Sequence, residues 1–477
     1  MLPVALSVTS SGRAFCHAVC RAAAVRQQSP APARTGVRVR SAAAALASGV
    51  TLAVLLTLLA TAAQATAPAE PLQVWTRSSN NGRKTYDAIA AAFTAKTGIR
   101  VEYFNATTDF EQRLARAAVG RDLPDVIIND GGSLGQFVNM GIVSPIDRAL
   151  VKGGAELHER AWRTATLPDG RVFAVPTSAQ AHVLFIRRDW RTRLGLPVPQ
   201  TWNDVAALAR AFTQRDPDDN GRADTYGFVF PGSTARGYTA WFISSFLFQA
   251  GGDFVRIAPD GRARGALAEP AALQTMGFFR GLLCDDKSMQ PGAINASTQE
   301  ANRAFLSGQA GMYLSGPYHI ALFDKEPGAA RVEVVPAPAG PGGARATLAG
   351  GELAFITRTT ARRADAMQFI EFLISVPGQT LGTQPPRGGL PVVRLPVNRA
   401  LDAGTIHQDP RWTTVADAYM LHGKALPMLP NWARVQQVAA DGFNSMLARC
   451  STTLEADLLT LNAKVDAELA RQRVLAR

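Results

Sequence analysis

An α/β protein built in two lobes is what this sequence predicts, and three observations predict it. At 477 residues the chain is too long for one ordinary core. Over residues 72 to 128, strand and helix signals alternate at the spacing of a parallel sheet, the pattern of mixed, mainly parallel sheets flanked by helices. Far from that repeat, residues 302 to 318 read N-R-A-F-L-S-G-Q-A-G-M-Y-L-S-G-P-Y, a helix, a stop, a strand and a turn. A composition that is 47% hydrophobic and 18% charged excludes a disordered or fibrous chain. The net charge of +12 does not point to nucleic acid, because six arginines (Arg13, Arg21, Arg26, Arg34, Arg38, Arg40) precede the first acidic residue, Glu70. No basic stripe with interleaved aromatics follows.

The N-terminal segment reads as an address. Arg38 and Arg40 precede an apolar run over residues 41 to 63, and Ala63-Gln64-Ala65 supplies a small-x-small cleavage site. Residues 1–65 are therefore leader and signal peptide, cut near Ala65. The run is also long enough to stay in the membrane as an anchor. Before Val37 there is no comparable logic, and translation is read as starting at Val37 or Val39. Cys16 and Cys20 fall in the leader. In an oxidising compartment Cys284 and Cys450 are either one disulfide or two buried thiols.

Residues 72 to 75 read as a strand and Asn80-Asn81-Gly82 as a turn. Tyr86, Ile89, Ala90 and Phe93 form the apolar face of a helix that stops at Gly98. A strand over 99–104, a helix over 110–119 and a strand over 125–128 continue the pattern. Ligands of such sheets bind at the carboxyl ends of strands, which marks Asn80, Asn81, Asn129, Asp130 and Ser133. Gly131-Gly132-Ser133-Leu134-Gly135 also fits G-x-S-x-G between a strand and a helix, the setting of a hydrolase nucleophile. A secreted serine hydrolase using Ser133 is thus the alternative from another class. His158, His182, His319, His407 and His422 provide no local motif for its base.

Further on, Thr201 and Asp204 fit a capping box, with Trp202 in the core. Asp216, Asp218, Asn220 and Asp224 occupy loop positions 1, 3, 5 and 9, with Gly221 at position 6. That is oxygen chemistry for calcium, although the bidentate Glu of an EF-hand is replaced by Gly227; the other reading is an Asx-rich turn. Tyr238 and Trp241 lie one helical turn apart. Gly308 stops the helix of the 302–318 stretch, and Tyr318 presents a ring and a hydroxyl after a Gly-Pro turn. A strand over 332–336, a Pro/Gly-rich loop over 337–344 and a helix over 363–373 complete the pattern.

These blocks resemble, in order, those of the extracellular solute-binding proteins that feed ABC importers, in their sugar- and polyol-binding, maltose-binding-protein-like branch. The 302–318 stretch is similar to F-x-x-G-x-x-A-M-x-x-x-G-P-W, with Tyr318 in place of Trp. Residues 172–190 are similar to the family's first crossing between lobes, 348–356 to its return crossing and 387–392 to the G-x-L-P-V of a third. The resemblance implies a two-lobed periplasmic-binding-protein fold of type II with a three-segment hinge. Lobe I would take residues 70–179 plus 353–395, and lobe II 180–352 plus 396–477. It also implies capture, without chemistry, of a carbohydrate or polyol in the periplasm by a monomer that delivers it to a permease and ATPase. Gln180, the Gly350 and Gly351 amides, Asn81 and Asp130 would hold hydroxyls. Trp241, Tyr318 and Trp432 would stack on sugar rings, Trp241 and Trp432 being core residues in the plain reading. For an anionic polyol phosphate, Arg387 or Arg434 would supply the charge. No cofactor is implied beyond the candidate calcium.

Overall fold

The computed structural model describes residues 70–77, 80–106, 109–451 and 453–476. The leader, its apolar run, the cleavage site, Cys16 and Cys20 lie outside these residues, as do Ser78 and Ser79. No helix among the described residues is long and apolar enough to cross a membrane.

In chain order the strands are β1 (Leu72–Thr76), β2 (Val101–Asn105), β3 (Val126–Asp130), β4 (Val175–Ala181), β5 (Val183–Arg187), β6 (Tyr226–Phe228), β7 (Val255–Ile257), β8 (Ala263–Gly265), β9 (Ala310–Ser315), β10 (Val332–Val335), β11 (Thr347–Ile356) and β12 (Gly423–Lys424). One sheet runs β12-β11-β3-β1-β2, with β4 also on β11, and a second runs β10-β5-β9-β6. The first is mixed, since β1 is parallel to β2 and β3 whereas β11 is antiparallel to β3 and β4. The second departs from the mainly parallel expectation. There β5 is antiparallel to β9 and β10, and only β6 is parallel to β9. β9 and β10 run the same way, joined by the helical stretch 317–331, and β5 is inserted between them in the opposite sense.

The N-terminal strands form where apolar side chains alternate with polar ones. Leu72 and Val74 are fully buried, and the helix Asn80–Thr97 buries Tyr86, Ile89 and Phe93 in the same core. Phe93 meets Phe369 of the helix Arg363–Ile374 edge-on at 5.2 Å. The expected turn at Asn80-Asn81-Gly82 is instead the first turn of that helix. In the second half the capping box is present. Asp204 N donates to Thr201 Oγ1 at 3.3 Å, and Thr201 N donates to the Asp204 carboxylate at 2.9 Å. Trp202 is core, its indole donating to Gln249 Oε1 at 2.7 Å. Gly308 ends the helix Thr298–Leu306 with φ of 74°, as its C′ assignment requires.

Two passages of chain join the sheets side by side. His182 N donates to Leu348 O at 2.8 Å, and Thr347 Oγ1 donates to His182 O at 2.9 Å. Beside them Leu395 exchanges both backbone hydrogen bonds with Ala179 at 2.9 and 3.0 Å. Cys284 and Cys450 form a disulfide across 166 residues of sequence.

Candidate functional site

Where β3 ends, Gly131–Ser133 makes a single 3-10 turn and the helix Leu134–Asn139 begins. Gly135 is required here, because a Cβ at that position would sit 2.1 Å from Leu429 O. Opposite, a Cβ on Gly351 would lie 1.9 Å from Ser178 O, so β11 and β4 close tightly only with glycine there. These approaches bring bare backbone to one cavity of about 390 Å³, enough for a mono- or disaccharide-sized ligand.

The cavity gathers sequence-expected residues from separate elements. Asp130, Gln180, Trp241, Gly350 and Gly351 all line it. Trp241 belongs to the helix Tyr238–Gln249, ten of whose twelve residues are buried. The two left half-open are Tyr238 and Trp241. Trp241 also meets the buried His182 ring edge-on at 6.1 Å. Asn129 lies just behind the wall, buried, with its Oδ1 accepting from Asp130 N at 2.9 Å. Ser133 donates its hydroxyl to Asp130 O at 2.7 Å, so its proton is held by its own turn and not by a histidine.

Asp130 is held by Arg77, which follows β1. Arg77 Nε lies 3.8 Å from Glu111, its Nη2 donates to Tyr238 Oη at 3.5 Å, and Arg236 meets Glu111 at 2.9 Å. Burial lowers the Arg77 guanidinium from its ordinary value, and the nearby Arg236 charge adds to this. Next to Gly351, burial raises the Glu352 carboxyl, which accepts from Tyr86 Oη at 3.2 Å.

Other expected residues lie elsewhere. Tyr318 does not line the cavity. Its half-buried ring folds back over Gly316, with its hydroxyl 3.2 Å from Ser315 Oγ, and burial raises the phenol. Trp432 is 2% exposed and packs edge-on to Phe254 at 5.2 Å. It touches the wall from behind, 3.5 Å from where a Gly132 Cβ would stand, so its plain core reading is the one realised. Arg387 is exposed and off the cavity. Arg434 lines a different, open recess with Asn139, Asn431, Glu468 and Arg471. Asn80 and Asn81 are the first two residues of the helix Asn80–Thr97.

The Asp216 to Asp224 loop is closed by its own side chains. Asp216 accepts from Gly221 N at 2.9 Å and Asn220 N at 3.2 Å, while Asn220 Nδ2 donates to Asp218 at 2.9 Å and Asp224 at 3.4 Å. Burial and the neighbouring Asp216 raise the Asp218 carboxyl. Among the described residues no group of three or more His, Cys, Asp or Glu side chains is arranged to hold a metal.

Sequence reasoning missed one wall. Arg160, Arg163 and Thr164 come from the short helix Glu159–Ala165, and Tyr419, Lys424 and residues 425–428 from a segment some 250 residues later. Lys424 is fixed by Asp253 at 2.9 Å and lies 4.5 Å from the Phe248 ring centre. Tyr419 is pushed up to about 12 by burial, against the pull of Arg160 and Arg163.

A fructooligosaccharide ABC transporter substrate-binding protein, FusA, of Streptococcus pneumoniae is 26% identical over 189 residues, covering 35% of this chain and 35% of that protein. A probable ABC transporter-binding protein of Deinococcus radiodurans is 28% identical over 299 residues, 60% of this chain and 67% of its own. The chain thus spans about a third of the first relative and two thirds of the second. Among solved structures, the GacH receptor of Streptomyces glaucescens, studied unliganded and with acarbose, shares the fold at TM-score 0.71 and 18% identity. That match covers 84% of this chain and 98% of GacH. The two-sheet architecture with its paired passages is the type II periplasmic-binding-protein fold. The family described as bacterial extracellular solute-binding protein matches residues 78–380, and the chain belongs to that family.

Proposed function

We propose that this protein is the substrate-binding component of an ABC importer, taking a carbohydrate or polyol between its two lobes and passing it to a permease and ATPase at the inner membrane. The observation that carries this reading is the cavity itself. Trp241, half-open on an otherwise buried helix, supplies an apolar face, and Gln180, Asp130 and the Gly350-Gly351 backbone supply fixed polar groups. Sugars need that combination, since their axial hydrogens pack on rings while their hydroxyls need donors and acceptors. The relatives' names, a fructooligosaccharide transporter subunit and an acarbose-binding receptor, support it.

The lobes divide where β4 passes to β5 through His182 and where β10 passes to β11 through 336–346, and ligand in the cavity favours the closed arrangement by touching both. The Arg77-Glu111-Arg236-Tyr238 network would then be made on closing. The protein acts as a monomer in the periplasm, and the ligand leaves chemically unchanged. A panel of neutral saccharides and polyols tested by thermal shift checks the reading, since a ligand bound only by the native state raises the midpoint. Ser133→Ala should retain at least half of the wild-type shift; hydrolysis of an ester lost in that variant would overturn the proposal.

A further inference from the structure

We propose that the ligand of this cleft is an acidic saccharide, one bearing a carboxylate that Arg160 and Arg163 take between them. This rests on the saccharide reading above and narrows it. The two arginines stand three residues apart on the helix Glu159–Ala165, share a face, and both line the cavity.

Charge accounting around the cavity singles them out. Asp130 is met by Arg77, and Lys424 by Asp253 at 2.9 Å. Glu159, on the same helix, is turned to Arg148 at 2.6 Å. Arg160 donates to the carbonyl oxygens of Met420 and Gly423 and lies 5.4 Å from the Tyr419 ring centre, contacts that leave its charge unneutralised. Neither Arg160 nor Arg163 makes an ion pair among the described residues. Burial lowers the Arg160 guanidinium and the Arg163 charge lowers it further, so the pair repel each other and an anion between them relieves both.

A guanidinium presents a planar fork that fits a carboxylate with two parallel hydrogen bonds. Trp241 and the apolar Leu348-Ala349 strip lie in the same cavity, where the ring carrying that carboxylate would rest. Two guanidinium forks on one helical face suit the two oxygens of a single carboxylate, and sugar phosphates are the competing ligands to be told apart.

Arg160 anchors the 420–423 carbonyls, so its loss threatens the wall itself, and the test uses the exposed Arg163. Calorimetry on the exported protein compares glucuronate, galacturonate and their short oligomers with the neutral parent sugars and with sugar phosphates. The expected result is uronate affinity at least about ten-fold above the neutral parents, falling with added salt. Arg163→Ala should weaken uronates by about ten- to hundred-fold and neutral sugars by less than about three-fold, with Arg163→Lys in between. Equal affinity for neutral parents, indifference to Arg163→Ala, or preference for phosphates overturns the inference and leaves saccharide capture standing. Binding of none of these compounds removes both.

Discussion

Replacing Trp241 with alanine separates a ligand wall from a core residue, because the two roles make opposite demands on stability and affinity. The ring is half-open, with one side toward the buried His182 and another on the cavity. Covering about 60 Å² of ring face at about 25 cal/mol per Å² gives about 1.5 kcal/mol. Complementarity between the ring face and sugar hydrogens adds about 0.5 kcal/mol. A loss of about 2 kcal/mol is roughly thirty-fold in Kd. Folding should suffer little in comparison, since the other ten buried positions of the helix remain. A fully packed Trp would cost about 3–5 kcal/mol on truncation. For a folded body of this size that is a fall in Tm of about 4–6 °C. Calorimetry with the best ligand of the panel, run beside a melting curve, gives both numbers. Trp241→Ala should raise Kd about thirty-fold and lower Tm by less than about 2 °C, with Trp241→Phe recovering most of the affinity. An unchanged Kd together with a fall in Tm of 4 °C or more, as estimated above for a packed Trp, would refute the argument.

Four further outcomes are expected. His182 and His319 are buried and held down at about 3, both by burial and the second also by the charge of the first. They are neutral in the fold, so the stability they contribute is present above about pH 6.5 and is lost as pH falls toward 3; at pH 5 each should cost about 2 kcal/mol. Glu352 has the opposite sign, its raised carboxyl favouring the fold at low pH, and Glu352→Gln should raise Tm at pH 8 more than at pH 4; melting curves across that range check both. Cys284→Ser with Cys450→Ser opens a loop of 166 residues, and loop-closure entropy puts the loss at up to about 5 kcal/mol, read as a drop in denaturation midpoint absent under reducing conditions. The calcium expectation for Asp216, Asp218, Asn220 and Asp224 requires the Asn220 amide, now donating to Asp218, to turn its oxygen inward. Millimolar calcium should then raise Tm by about 2 °C or more and fail to do so in Asp218→Asn; an unchanged wild-type Tm would leave the loop an Asx turn.

Much of the architecture was legible because it is written locally. Strand alternation around Leu72 and Val74, the capping box of Thr201 and Asp204, and the left-handed stop at Gly308 each depend on residues within one turn of one another. The start of the first helix was misplaced since Asn-Asn-Gly has turn chemistry that the apolar face beyond it overrides. Within the site, Asp130, Gln180, Trp241, Gly350 and Gly351 could be found from strand ends and a recognisable order of blocks. Tyr318 and Trp432 could not be placed, because a Gly-Pro turn fixes where a ring starts and not which way it folds. Arg160, Arg163, Tyr419 and Lys424 gave no signal, for they meet only when a short helix and a segment some 250 residues later close the same wall.

Native mass spectrometry of the exported protein, mixed with the saccharide panel and then released from it, tests the central claim most directly. One intact saccharide or polyol per chain should be bound and recovered at its original mass. Cleaved fragments, or no adduct with any member of the panel, would contradict capture without chemistry.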